Sequence, residues 1–185
     1  MAERKEVRLA GAEDPHGVIK AGLILQEAAA IYDDLNAHHV QSYGPEARSG
    51  AARSEVIISD GDIDYPKATQ IDVLLAMTQE AVERYTHDLR PEAIVIVDAQ
   101  LVTRLPPGLK AYSLPLIATA ERELQRPALV DIVALGALVE LSRVVSKGAI
   151  EAAVKDHAVK GSEDIHMKAL EAGYRLAKDA LGATR

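Results

Sequence analysis

The chain has 185 residues, 48% of them apolar, and carries no Phe, Trp or Cys; six Tyr are its only aromatics. That length supports one domain over residues 1–185 with a core of Ala, Val, Ile and Leu, and the missing Cys excludes disulfides, Cys-ligated iron–sulfur clusters and zinc ribbons. The net charge of −7, spread along the chain, argues against a nucleic-acid face.

The N-terminal stretch MAERKEVRLAGAEDPHG lacks the apolar run of a signal peptide or membrane span, so a cytoplasmic protein is expected. Residues 5–11 read as a strand and 16–35 as a helix rich in Ala, Leu and Ile. Residues 38–43 and 54–59 (SEVIIS) read as the second and third strands. The run 71–78 (IDVLLAMT) is another strand, followed by a helix over 79–89. AIVIVDA, 93–99, is a buried strand, and a last short strand lies around 111–117. Beyond 118 the pattern is helical: 118–125, 131–145, 148–157 and 166–181. This alternation predicts an α/β fold: an open, mainly parallel, Rossmann-like sheet with helices on both faces and a helical C-terminal part. The apolar run 132–141 has no charge until Glu140, wider than one amphipathic stripe requires. Part of it is expected to face the core or a partner.

VRLAGAEDPHGVIKAG has the outline of a phosphate-binding turn, with glycines at Gly11 and Gly17 between a strand and a helix. Such turns work by aiming unblocked backbone N–H groups at an anion near the positive end of a helix. Here Pro15 removes one donor, and Glu13 with Asp14 bring negative charge to the anion's position. The turn reads as a capped βα connection that keeps only the architecture of a nucleotide loop. His16 has no nucleophile or metal ligand at a telling spacing and reads as a polar helix start. No catalytic residue and no metal ligand is assigned.

Residues 41–81 read QSYGPEARSGAARSEVIISDGDIDYPKATQIDVLLAMTQEA. Gly44–Pro45 marks a turn, Arg48 offers a fork of donors, and Ser49–Gly50 allows close backbone approach. On the residues alone, a binding loop and a surface loop with a Glu46–Arg48 pair stand level. Thr78-Gln79-Glu80, at a strand end, stands equally between a polar ligand contact and a capped helix start.

With its Tyr43, Gly44, Pro45, Glu46, Arg48 and Gly50, then 54–60, 63–66 and 72–76, this segment resembles the gamma subunit of the 2-oxoacid:acceptor oxidoreductases. That is the pyruvate and 2-oxoglutarate ferredoxin-type family, whose pattern is Y-G-P-E-x-R-G-G, S-E-V-I-I-S-D, I-D-Y-P and D-V-L-L-A. The likeness continues through DIVALGALVE (131–140) and HMKALEAGYRLA (166–177). Two departures stand out: the family's G-x-G-G-Q-G-type turn keeps only Gly11 and Gly17 here, and Asp131 replaces a frequent Asn.

The resemblance implies a non-catalytic gamma subunit of a hetero-oligomer that oxidatively decarboxylates a 2-oxo acid to an acyl-CoA. Thiamine diphosphate, Mg and the iron–sulfur clusters would reside in alpha, beta and ferredoxin-like partner subunits. In this chain Gly61–Asp62 leads into IDYP rather than a thiamine diphosphate motif, so the isolated chain is expected to be inactive. CoA is the implied ligand. Its contacts are Tyr43, Gly44, Pro45, Glu46, Arg48, Ser49 and Gly50, with polar help from Thr78 and Gln79. The alternative is a purely structural assembly subunit with a degenerate ligand site. Pyruvate, 2-oxoglutarate, branched-chain and aryl 2-oxo acids, and ferredoxin or NAD as acceptor, remain open at this point.

Overall fold

A computed structural model describes residues 3–12, 17–42 and 51–183. Six strands form one sheet: β1 (Arg4–Ala12), β2 (Asn36–Ser42), β3 (Ala51–Ser59), β4 (Ile71–Ala76), β5 (Leu89–Asp98) and β6 (Tyr112–Leu114), in the order β2-β3-β1-β4-β5-β6. The β1–β4, β4–β5 and β5–β6 pairs are parallel, whereas β3 is antiparallel to both of its neighbours. β3 alone therefore runs against the rest, and the mainly parallel sheet is borne out. The reversal follows from chain length, because residues 43–50 are too few for a crossover connection and only an antiparallel return fits.

The alternation along each strand sorts side chains to two faces. Val7 and Leu9 of β1, Val56 and Ile58 of β3, and Val73 and Leu75 of β4 enter the larger core. That core is shared with α1 (Val18–Glu27, continued by a π-type turn over Ala28–Tyr32), α4 (Val130–Ser142), α5 (Lys147–His157) and α6 (Glu163–Ala183). On the opposite face Ala10, Leu74, Ala76, Val95 and Val97 pack beneath Ala81 and Val82 of α2 (Gln79–Tyr85). A short α3 (Leu116–Ala118) with its own π-type turn (Thr119–Glu123) follows β6.

Every residue of α4 from Val130 to Val139 is buried. The apolar run is thus consumed inside this chain from Ile132 to Val139, and only its end at Glu140 and Leu141 is half-buried. α4 meets α6 through Gly136 and Gly173: a Cβ on either would lie 2.2 Å from the Leu170 carbonyl oxygen or 2.0 Å from that of Val133. Two bare glycines let the backbones touch.

Several boundaries differ from the sequence reading. The 79–89 helix stops at Tyr85, because the Thr86 hydroxyl donates back to the Val82 carbonyl at 3.0 Å and Leu89 already pairs with Ile71 in the sheet. β5 thereby starts four residues before position 93. The 71–78 strand ends at Ala76, and the 111–117 strand holds only Tyr112–Leu114 before α3 begins. The 16–35 helix starts at Val18. The altered turn at 13–16 and the loop 43–50 lie outside the described residues.

Candidate functional site at the strand ends

β1, β4, β5 and β6 all end on one rim of the sheet. From there α1 leaves β1 towards the larger core, while α2 leaves β4 towards the opposite face. The chain reverses its winding between these two strands, and in open α/β sheets ligands bind in the crevice at such a point.

Thr78 and Gln79 lie on this rim. Thr78 is extended (φ −132°, ψ 158°), and its Oγ1 accepts the Ala81 N–H at 3.2 Å, which makes it the cap of α2. The Gln79 amide is engaged on both ends. Its Oε1 accepts from the Thr103 and Arg104 N–H groups at 3.1 Å, and its Nε2 donates to the Arg104 carbonyl at 3.0 Å and to Glu83 at 3.2 Å. It pins the 103–104 segment to α2. Tyr43, Gly44, Pro45, Glu46, Arg48, Ser49 and Gly50 fall outside the described residues, but their flanks do not. Ala51 opens β3 opposite Ala12 at the end of β1, so the loop departs from the same rim.

Farther along the rim a cavity of about 680 Å³ opens between α1, the ends of β5 and β6, and α4; its lining includes Gly17, Lys20, Gln100, Leu101, Ile117 and Asp131. One carboxylate holds two of its walls. Asp98, fully buried at the end of β5, accepts the Gln100 and Leu101 N–H groups through Oδ1 (2.9 and 3.0 Å) and the Ile117 N–H through Oδ2 (3.0 Å). Asp131, 3% exposed at the start of α4, accepts the Ile132 N–H at 2.8 Å, and its other oxygen stands 3.4 Å from Lys20 Nζ. Burial pushes its carboxyl above the ordinary 3.8, against the pull of Lys20 and, more weakly, of the Ile132 N–H and His166. Gly17 sits against it in the left-handed region at φ 58°, and a Cβ there would come within 2.9 Å of Asp131 Cβ.

Lys20, Gln100, Leu101 and Ile117 carried no motif in the sequence. Asp98 did carry a readable signal, an acid closing the apolar run 94–97, and Asp131 stood out only as a replaced Asn. Arg53, beside the loop, holds its guanidinium 5.6 Å from the Tyr85 ring centre.

The model of the pyruvate ferredoxin/flavodoxin oxidoreductase family matches residues 7–176. The chain belongs to this family. The 2-oxoglutarate synthase subunit KorC of Methanocaldococcus jannaschii is 42% identical, with 95% of each chain covered. Among solved structures, the gamma subunit of a keto/oxoacid ferredoxin oxidoreductase from Geobacter sulfurreducens superimposes with a TM-score of 0.87 at 44% identity, covering 96% of this chain and 98% of that one. The 2-oxoglutarate:ferredoxin oxidoreductase from Magnetococcus marinus, bound to 2-oxoglutarate, coenzyme A and succinyl-CoA, gives 0.82 at 25% identity over 96% of this chain and 31% of that chain. The chain is accordingly a gamma-type member of the 2-oxoacid ferredoxin oxidoreductases. Among its described residues no helix is long and apolar enough to cross a membrane.

Proposed function

We propose that this chain is the gamma subunit of a complex that oxidatively decarboxylates 2-oxoglutarate to its CoA thioester, and that it helps to assemble the complex and to bind CoA. The observation that carries the substrate assignment is the 42% identity, over nearly the full length of both chains, to a 2-oxoglutarate synthase subunit. The chain itself has no Cys, so the cluster chemistry belongs to companion subunits, and with Gly61–Asp62 leading into IDYP rather than a thiamine diphosphate motif, that cofactor is placed there too. In this reading the CoA contact lies in the segment from Tyr43 to Gly50, supported by the family pattern carried there. There Arg48 supplies a permanent, planar charge suited to a phosphate, and Ser49 and Gly50 allow the ligand close to the backbone. Thr78 contributes its hydroxyl from the adjacent rim.

The tagged chain purified from its own cells should bring down larger subunits carrying thiamine diphosphate and iron. That complex should reduce a viologen dye fastest with 2-oxoglutarate, while the isolated chain reduces none. A preference for pyruvate or a branched-chain 2-oxo acid would overturn the substrate assignment. In the assembled complex Arg48→Ala should raise the KM for CoA roughly ten-fold, the loss of one charge-assisted contact.

The second reading is a purely structural assembly subunit. It draws on the Gln79 amide, whose hydrogen bonds tie the 103–104 segment to α2. An Arg48→Ala complex with unchanged CoA dependence would favour it.

A further inference from the structure

On the opposite rim, where the parallel strands begin, a cavity of about 510 Å³ lies between the sheet and the C-terminal end of α4. Lys5 of β1 and Arg90 and Glu92 of β5 enter it from either side of β4, across roughly 10 Å, two strand spacings. Asp72 of β4 holds Arg90 in place. Its Oδ2 accepts the Glu6 N–H at 2.8 Å, and its Oδ1 stands 3.2 Å from Arg90 Nε, which also donates to the Gln70 carbonyl at 3.3 Å. Both contacts engage Nε, so among the described residues the two terminal nitrogens of Arg90 keep their donors. Lys5 pairs at 3.2 Å with the exposed Glu3, a weak contact, and Glu92 has no partner among the described residues. With Arg90 matched by Asp72, one cation and one anion face the space, Lys5 and Glu92. An occupant carrying one charge of each sign answers both. Val73, Ile94 and Val144 give the cavity an apolar wall.

We propose that this cavity binds an aliphatic α-amino acid as its zwitterion. The terminal nitrogens of Arg90 fork the carboxylate, and Lys5 adds a second positive charge beside it. Glu92 receives the ammonium together with the carbonyl end of α4, which Ser142 brings to the cavity and where the helix dipole favours a cation. The side chain lies on Val73, Ile94 and Val144. Branched hydrocarbon is stabilised there by burial, whereas a second charge on the ligand would have no partner. Asp72 is a positioning residue that acts through Arg90. The six residues of β4 separate this cavity from the strand-end rim by roughly 20 Å, so its ligand is not the one that binds there.

The test is equilibrium dialysis of radiolabelled L-leucine against the full chain and against the complex recovered with it. Both should bind one leucine per chain, saturably, with a Kd of about 1 mM or below. Isocaproate, which is leucine without its amino group, and isoamylamine, which lacks the carboxylate, should each compete at least ten-fold more weakly, the effect of one charge-assisted contact. Glutamate should compete no better than isocaproate. Arg90→Lys keeps the charge but removes the fork, and should weaken leucine binding about ten-fold. Glu92→Gln alters an exposed side chain without a partner, so the fold stays intact even if the Arg90 variant does not form. It should weaken leucine about ten-fold and leave isocaproate unchanged. No saturable leucine binding below roughly 10 mM overturns the proposal. So does isocaproate or glutamate binding as tightly as leucine, or leucine binding that survives both variants. Binding by the isolated chain but not by the complex assigns the cavity to a companion subunit and overturns it as well.

Discussion

Arg8 and Asp131 are equally buried, each 3% exposed, yet their surroundings differ. Arg8 is saturated. Its two terminal nitrogens bind both Asp88 oxygens at 2.6 and 2.7 Å, its Nε donates to Glu55 at 2.8 Å, and Tyr85 lies 5.5 Å away across its face. Asp131 is partly satisfied and borders a cavity. A buried charge whose every nitrogen is matched fastens strands together, as Arg8 fastens β1 to β3 and to the start of β5. A buried carboxyl with acceptor capacity to spare, beside open space, is available to something that enters. The same degree of burial thus marks a structural tie in one region and, in the other, a carboxyl with spare acceptor capacity beside a cavity.

The largest expected effect comes from Arg8→Ala, which leaves the buried Glu55 and the half-buried Asp88 without their common cation. Removing one partner of a buried ionic network costs about 3–5 kcal/mol, read as a lower midpoint in urea unfolding. A loss below about 1 kcal/mol would erase the distinction between the two regions.

The pH dependence sharpens it. Burial alone would raise the Asp88 carboxyl, but hydrogen bonds and charge from Arg8 outweigh it and leave the group below its ordinary 3.8. Asp88 therefore adds stability that is fully present above that value and lost as pH falls through the folded one. Asp131 has the opposite sign: its folded carboxyl lies above 3.8, so its contribution is present at low pH and declines as pH rises through the folded value. Unfolding free energies measured from roughly pH 3 to 6 should show a flatter acid limb in Asp88→Asn and a steeper one in Asp131→Asn. Parallel curves would break the comparison.

Lys20→Ala should have the smallest effect. Its ammonium is 43% exposed on the side chain and 3.4 Å from Asp131, a geometry worth no more than about 1 kcal/mol in thermal unfolding. A loss above about 2 kcal/mol would make this pair as structural as the Arg8 network.

What was legible in the sequence follows local physics. The strand in AIVIVDA announced itself through an uninterrupted apolar run, and the alternation of elements pointed to a mainly parallel sheet. The 16–35 helix was readable in kind, but its closing π-type turn over Ala28–Tyr32 has no marker in AAAIY. The end of α2 was not readable either, since nothing in THDLR shows that Leu89 must pair with Ile71. The breadth of the 132–141 run was visible, but whether it met a partner or its own fold depended on the facing glycines, 37 positions apart. The site divides the same way. The Tyr43–Gly50 segment is contiguous and was recognisable as a pattern. Lys20, Gln100, Ile117 and Asp131 come from four separated stretches, and only the folded chain brings them together.

The lone antiparallel strand has a consequence for where positive charge must come from. A parallel βαβ unit delivers a helix N-terminus to the strand ends, and with it a partial positive charge independent of side chains. β2 and β3 are joined by only eight residues, too few for a crossover helix, so no βαβ unit links these two strands. Anion affinity on that side thus depends on individual cations, and single substitutions can add or remove it. Arg53, two residues into β3 and held over Tyr85, is the first such cation after the loop.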